Sequence, residues 1–169
     1  MRTLPSVTDG GAVVSAPMPR TGGTPPAENA VVIGVLSPDE VESLLHRVTV
    51  GRIAVSIDNR PYIVPITYAY HRGSVYAHSG PGRKIDGMRA HPHVCFEIDE
   101  VIAPAQWRSV VADGVYEELI SLADRRDALQ LLGHTNDTAQ AALDGGDGEI
   151  LFRVRLTERS GRFEQRELR

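Results

Sequence analysis

Arg52-Ile53-Ala54-Val55-Ser56-Ile57 and Tyr62-Ile63-Val64-Pro65-Ile66-Thr67-Tyr68-Ala69-Tyr70 are parted by the turn Asp58-Asn59-Arg60-Pro61. The short turn His71-Arg72-Gly73 then leads into Ser74-Val75-Tyr76-Ala77-His78. All three runs are rich in β-branched and aromatic residues, which suit a pleated, half-buried surface. The links are too short for crossover helices, so the runs form an antiparallel meander. Pro65 has no amide hydrogen to give to a ladder and marks a sheet edge or a bulge.

Around this meander the pattern changes to helices and further strands. Upstream, Ser37-Pro38-Asp39-Glu40 is a helix start, with Ser37 as N-cap, Pro38 in the first turn and Glu40 completing a capping box. Val41, Leu44, Leu45 and Val48 share one face, and the helix is expected to end near Gly51. Downstream, residues 83–90 read as a helix stopped by His91-Pro92. Val94–Ile98 and Trp107–Glu117 are strands, with a bulge expected at Gly114. Asp124–Leu132 is a helix closed by Gly133, and Glu149–Thr157 is a last strand. Six strands and three short helices make a mainly β fold, a small β-barrel with flanking helices. Residues 31–169 form this domain. Residues 1–30 hold Pro5, Pro17, Pro19, Pro25 and Pro26 and few large apolar residues, so they read as a disordered tail or as an arm that covers a site.

The chain has 169 residues, 41% hydrophobic and 24% charged, with a formal net charge of -4. A net negative chain is poorly suited to nucleic acid or to anionic membrane. No apolar run approaches the roughly 20 residues that span a bilayer, and the N-terminus lacks a signal-peptide pattern, so a cytoplasmic protein is expected. Cys95 is the only cysteine. It lies in a strand-like run with no identifiable base and reads as a small buried apolar residue.

The strongest local chemistry is Gly80-Pro81-Gly82-Arg83-Lys84. It joins a strand to a helix, where free backbone amides and the positive helix end favour an anion. Arg83 and Lys84 add cations where the dipole opposes them, which makes sense if a phosphate is present. The same segment also reads as a solvated loop with two surface cations, and local sequence alone does not choose. Walker-type and dinucleotide-fold glycine spacings are absent. His91 and His93 flank Pro92 without a third ligand nearby, so a metal site is not expected. Residues 144–149 lack the spacing of a calcium loop. Trp107 reads as a core or interface aromatic, or as a pocket wall beside Arg108 and Ser109.

The order of these pieces resembles the pyridoxamine 5'-phosphate oxidase-like FMN-binding split-barrel superfamily. The stretches that carry the likeness are Gly51–Ser56, Pro61–Tyr68, Val75–Ser79, Gly82–Asp86, His91–Glu97 and Trp107–Val110. Within the superfamily the chain is most similar to the nitroimidazole-resistance nitroreductases. The resemblance implies a six-stranded antiparallel split barrel and a homodimer with FMN at the seam. It places Pro65, Ile66, Thr67 and Tyr68 along the flavin ring, and His78 and Ser79 near the ring or ribityl chain. Arg83 and Lys84 would bind the phosphate, and Trp107, Arg108 and Ser109 would come from the other subunit. The implied activity is reduction of a small electron acceptor such as a nitroaromatic, with His78 as candidate proton donor or merely a hydrogen-bonded strand end. F420 or haem in place of FMN, and a carrier without turnover, are the alternatives within the same fold.

Overall fold

A computed structural model describes residues 31–133 and 148–166. The N-terminal segment 1–30 and Asp144 to Asp147 of the glycine-rich loop lie outside these residues. The elements in chain order are β1 Val31–Val35, α1 Pro38–Arg47, β2 Val50–Ile57, β3 Arg60–Thr67, β4 Ala69–His71 and β5 Ser74–Ser79. They continue with α2 Arg83–Ala90, β6 His93–Ala103, β7 Gln106–Glu118, α3 Leu122–Leu131 and β8 Ile150–Arg166. The fold is mainly β and antiparallel, with flanking helices, as expected.

The sheet path runs β3-β2-β6-β7-β8-β5-β4, with β1 added on β8. Its two end strands, β3 and β4, are joined by Tyr68 alone. A sheet whose opposite edges are consecutive in sequence must curl round on itself, which makes the barrel. β3 and β5 approach one another without pairing, so the barrel is split along that line. Pro65 lies on the end strand β3, the edge its missing amide hydrogen requires.

Turn chemistry sets the hairpins. Asp58 and Asn59 both have positive φ, 51° and 58°, the two-residue geometry that matches strand twist. Arg72 and Gly73 repeat it at 47° and 74°. The α1 cap is as expected: Ser37 Oγ accepts from the Glu40 amide at 3.3 Å, and the Glu40 carboxylate accepts from the Ser37 amide at 2.8 Å.

Four expectations need correcting. The described residues hold eight strands rather than six. β1 was not anticipated, because Val31-Val32-Ile33-Gly34-Val35 is a run of only five residues without apolar–polar alternation. The run Tyr62–Tyr70 is two strands: the Tyr68 amide still donates to Thr49 O at 3.0 Å, its ring packs edge-on against Phe96 at 5.0 Å, and from Ala69 the chain pairs with β5 instead of β2. Gly51 lies inside β2 instead of ending α1. A Cβ there would sit 2.6 Å from the Phe96 ring, so glycine is needed for β2 to approach β6. At Gly114 the β7–β8 register does shift, but the extra residue is Thr157 on β8.

The barrel interior is filled. Ile53, Val75, Phe96, Val110 and Phe152 are fully buried, and α2 adds Ile85 and Met88. α3 covers a second, smaller cluster of Leu119, Ala128, Leu129 and Leu151. No helix among the described residues is long and apolar enough to cross a membrane.

Candidate functional site

A filled interior means that any bound cofactor lies on the outside of the barrel, against outward side chains and unpaired backbone. The loop after β5 offers both. β5 ends at Ser79, paired with Ile150. Gly82 then takes φ 152° and ψ -177°, a conformation open essentially to glycine alone. It caps α2 without a side-chain hydrogen bond, and the first helical bond runs from the Asp86 amide to the Gly82 carbonyl at 3.0 Å. The amides of the first turn therefore meet no capping side chain. A Cβ built on Gly80 or Gly82 meets nothing within 4 Å, so both glycines border open space.

The two cations stand at this helix end in different settings. The Arg83 guanidinium is exposed and lies 4.8 Å above the Tyr62 ring. Lys84 is half-buried, and burial pushes its ammonium below the usual lysine range. Among the described residues no carboxylate pairs with either. Elsewhere the arginines near carboxylates are engaged: Arg47 with Glu100 at 2.9 Å, Arg153 with Glu117 at 2.7 Å. A partly buried cation without a counter-charge is costly. A phosphate against the α2 amides, Arg83 and Lys84 supplies that charge, so the residues present fit a nucleotide phosphate.

His78 and Ser79 stand beside this loop with their side chains on opposite faces. His78 is on the outward face with Tyr76, and its Nδ1 contacts the Glu149 carboxylate. Ser79 is half-buried, and its hydroxyl donates to Gly80 O at 2.9 Å. Glu149 escaped sequence reasoning. Only strand register, which sets His78 against Leu151, brings Glu149, the residue just before β8, to the imidazole. Tyr62 likewise read as an ordinary strand aromatic.

Alternation divides the Pro65–Tyr68 run. Pro65 and Thr67 are exposed, so the Thr67 hydroxyl is available. Ile66 is buried in the core. Tyr68 is buried too, its hydroxyl donating to Leu45 O and its amide to Thr49 O, each at 3.0 Å, so both serve packing. The unpaired edge of β3, along the split, is left to the alternate residues Pro65 and Thr67.

Trp107, Arg108 and Ser109 are not brought to this loop within one chain. Trp107 pairs with Glu164 near one end of β8, whereas Ser79 pairs with Ile150 at the other. At about 3.3 Å per residue the intervening strand is on the order of 45 Å, more than one nucleotide bridges. The Trp107 indole donates to Glu164 at 2.7 Å, and Arg108 is exposed beside it in a small cleft with Phe163. Cys95 is half-buried rather than buried, and burial raises its thiol. Its cross-strand neighbour Asp113 and nearby Glu97 raise it further, the opposite of what activates a thiol. His91 caps α2, its amide donating to Gly87 O at 2.9 Å. Among the described residues no group of three or more metal-binding side chains converges.

The family described as pyridoxamine 5'-phosphate oxidase matches residues 37–163. An uncharacterized protein of Rhizobium meliloti is 35% identical over 143 residues, covering 77% of this chain and 94% of that one. A structure of an FAD-binding protein from Mesorhizobium loti is 37% identical, covers 78% of this chain and 98% of its own, and superposes with a TM-score of 0.65. A structure from Bacteroides thetaiotaomicron, described in terms of 5-nitroimidazole antibiotic resistance, shares the fold with a TM-score of 0.66 at 21% identity, covering 81% of this chain and 91% of its own. Family match, split barrel and strand order agree, and the chain belongs to the pyridoxamine 5'-phosphate oxidase-like split-barrel family.

Proposed function

We propose that the chain binds a flavin nucleotide along the unpaired edge of β3, with its phosphate on the loop from Gly80 to Lys84, and uses it to reduce a small acceptor such as a nitroaromatic. The observation that carries this reading is Lys84: a half-buried ammonium without a carboxylate partner among the described residues, at an uncapped helix start behind two glycines. The FAD-binding relative from Mesorhizobium loti supports flavin over F420 or haem. Both FMN and FAD carry the phosphate next to the ribityl chain, so this loop serves either.

The chain's own residues divide the work. Arg83 gives planar paired donors and Lys84 a point charge to the phosphate. The β3 backbone and the Thr67 hydroxyl orient the ring's polar edge, and His78 holds a proton on the outward face. Bound flavin supplies the electron transfer itself. The site is completed in a homodimer, where Trp107, Arg108 and Ser109 come from the second copy. Exposed Ile33, Ile63, Val101 and Val111 on the outward sheet face favour such a contact.

The test is the absorption spectrum of the purified protein with mass identification of the released ligand. A yellow protein releasing FMN or FAD supports the reading. A colourless protein that gains no thermal stability with either flavin overturns it. Reduction of a nitroimidazole by the flavin-loaded protein with a reductant separates an enzyme from a carrier.

A further inference from the structure

Glu149 has no place in the phosphate site, yet its carboxylate faces Nδ1 of His78 across the β5–β8 pair. Both side chains are partly exposed, 38% for His78 and 26% for Glu149. Among the described residues, Glu117 is engaged by Arg153 and Arg155, and Glu118 by Arg89. Glu149 instead meets the imidazole. We infer that Glu149 is the positioning residue of His78, holding its Nδ1–H so that Nε2 is the nitrogen that delivers a proton to the acceptor.

The argument rests on the flavin-reductase reading above and on the chemistry of imidazole. A ring nitrogen that donates to a carboxylate fixes which nitrogen keeps the lone pair when the ring is neutral. With Nδ1–H on Glu149, the charged ring carries its transferable proton on Nε2. That proton leaves to an acceptor oxygen made basic by reduction. The imidazole remains neutral, and its second proton stays on Nδ1. The carboxylate also fixes the rotation of the ring, a role an acidic partner plays beside a catalytic histidine.

The experiment uses the full chain loaded with FMN and labelled with 15N-histidine, under conditions where the ring is neutral. Wild type should show His78 as the Nδ1–H tautomer. Glu149→Ala should shift it to the Nε2–H form, and Glu149→Gln, whose amide oxygen still accepts, should keep it. With a nitroimidazole acceptor, kcat should fall about tenfold in Glu149→Ala at unchanged KM, with partial rescue in Glu149→Gln, the size of a modest general-acid contribution. FMN affinity serves as the control for folding and should be the same in all three. An unchanged tautomer in Glu149→Ala overturns the inference. So does a normal kcat in Glu149→Ala when the wild type turns over. Absence of turnover in wild type instead removes the reductase reading, while the tautomer still tests the hold of Glu149 on His78.

Discussion

The Arg83 guanidinium lies 4.8 Å above the Tyr62 ring, so a π face orients it, and among the described residues no carboxylate neutralises it. Its donors stay directed to an incoming anion. An exposed cation–π contact is worth about 0.5–1 kcal/mol. Tyr62→Leu should therefore raise the FMN dissociation constant by about two- to fivefold, and Tyr62→Phe should leave it nearly unchanged, as read by quenching of flavin fluorescence on titration.

Lys84 sets stability and binding against each other. Lys84→Met keeps the apolar stem and removes the half-buried charge, so the flavin-free protein should melt at a higher temperature. FMN binding should weaken by about ten- to hundredfold, the loss of one charge-assisted contact of about 1.5–3 kcal/mol. The pH dependence follows from the direction of the shift. Burial lowers the folded-state value of this base, so the unfolded chain holds more protons between that value and the ordinary one of about 10.4. Flavin-free wild type should gain stability as pH rises through that alkaline window, and Lys84→Met should not. Thermal melts across the window distinguish the two.

The two loop glycines should fail in different ways. Gly82→Ala forces a side chain into φ 152° and should cost about 1–3 kcal/mol of stability even without ligand. Gly80 has no positive φ and open space where a Cβ would go. Gly80→Ala should leave the flavin-free melting temperature unchanged while weakening FMN, because the added methyl group stands where the phosphate approaches. Equal losses of stability in both variants would show that the loop is built for folding alone.

Much of this site was legible in the sequence for local reasons. The strand-to-helix loop, its glycines and its two cations are contiguous, and the Ser37–Glu40 cap is a four-residue signal. The features that escaped depend on register and curvature. Nothing in the sequence near Glu149 indicates His78, and nothing near Tyr62 indicates Arg83. The break at Tyr68 is set by the change of partner strand from β2 to β5, which local sequence does not show. β1 shows only as the partner of the far end of β8, whose strand character was recognised only as far as Thr157.

Acid should expose the arginine–carboxylate pairs behind the loop. Hydrogen bonding to Arg89 is the chief cause of the low Glu118 carboxyl, and Arg153 followed by Arg155 act on Glu117. Both are depressed carboxylates. Their stabilisation is present above the ordinary value of about 4.3 and is lost as pH falls through the lower folded-state values. Arg89→Met should flatten the fall in melting temperature below about pH 4.3 relative to wild type, while the alkaline behaviour assigned to Lys84 stays unchanged.

The last prediction concerns the separation of Trp107 from the loop along β8. If two copies share each site, two defective chains should complement. One chain carries Arg83→Ala and Lys84→Ala. The other carries Trp107→Ala, Arg108→Ala and Ser109→Ala. Each homodimer has both sites damaged, one set at the phosphate and one at the far wall. In a hybrid, one site combines both damaged segments and the other combines an intact loop with an intact wall. An equal statistical mixture should then recover about a quarter of the wild-type flavin sites, because two-fold symmetry gives one good site per hybrid and half the dimers are hybrids. The measurement is flavin content per chain of the co-expressed mixture, which should rise to about half once hybrids are isolated by tandem tags. A hybrid that binds no more flavin than either homodimer would place Trp107, Arg108 and Ser109 outside the site and confine the site to one chain.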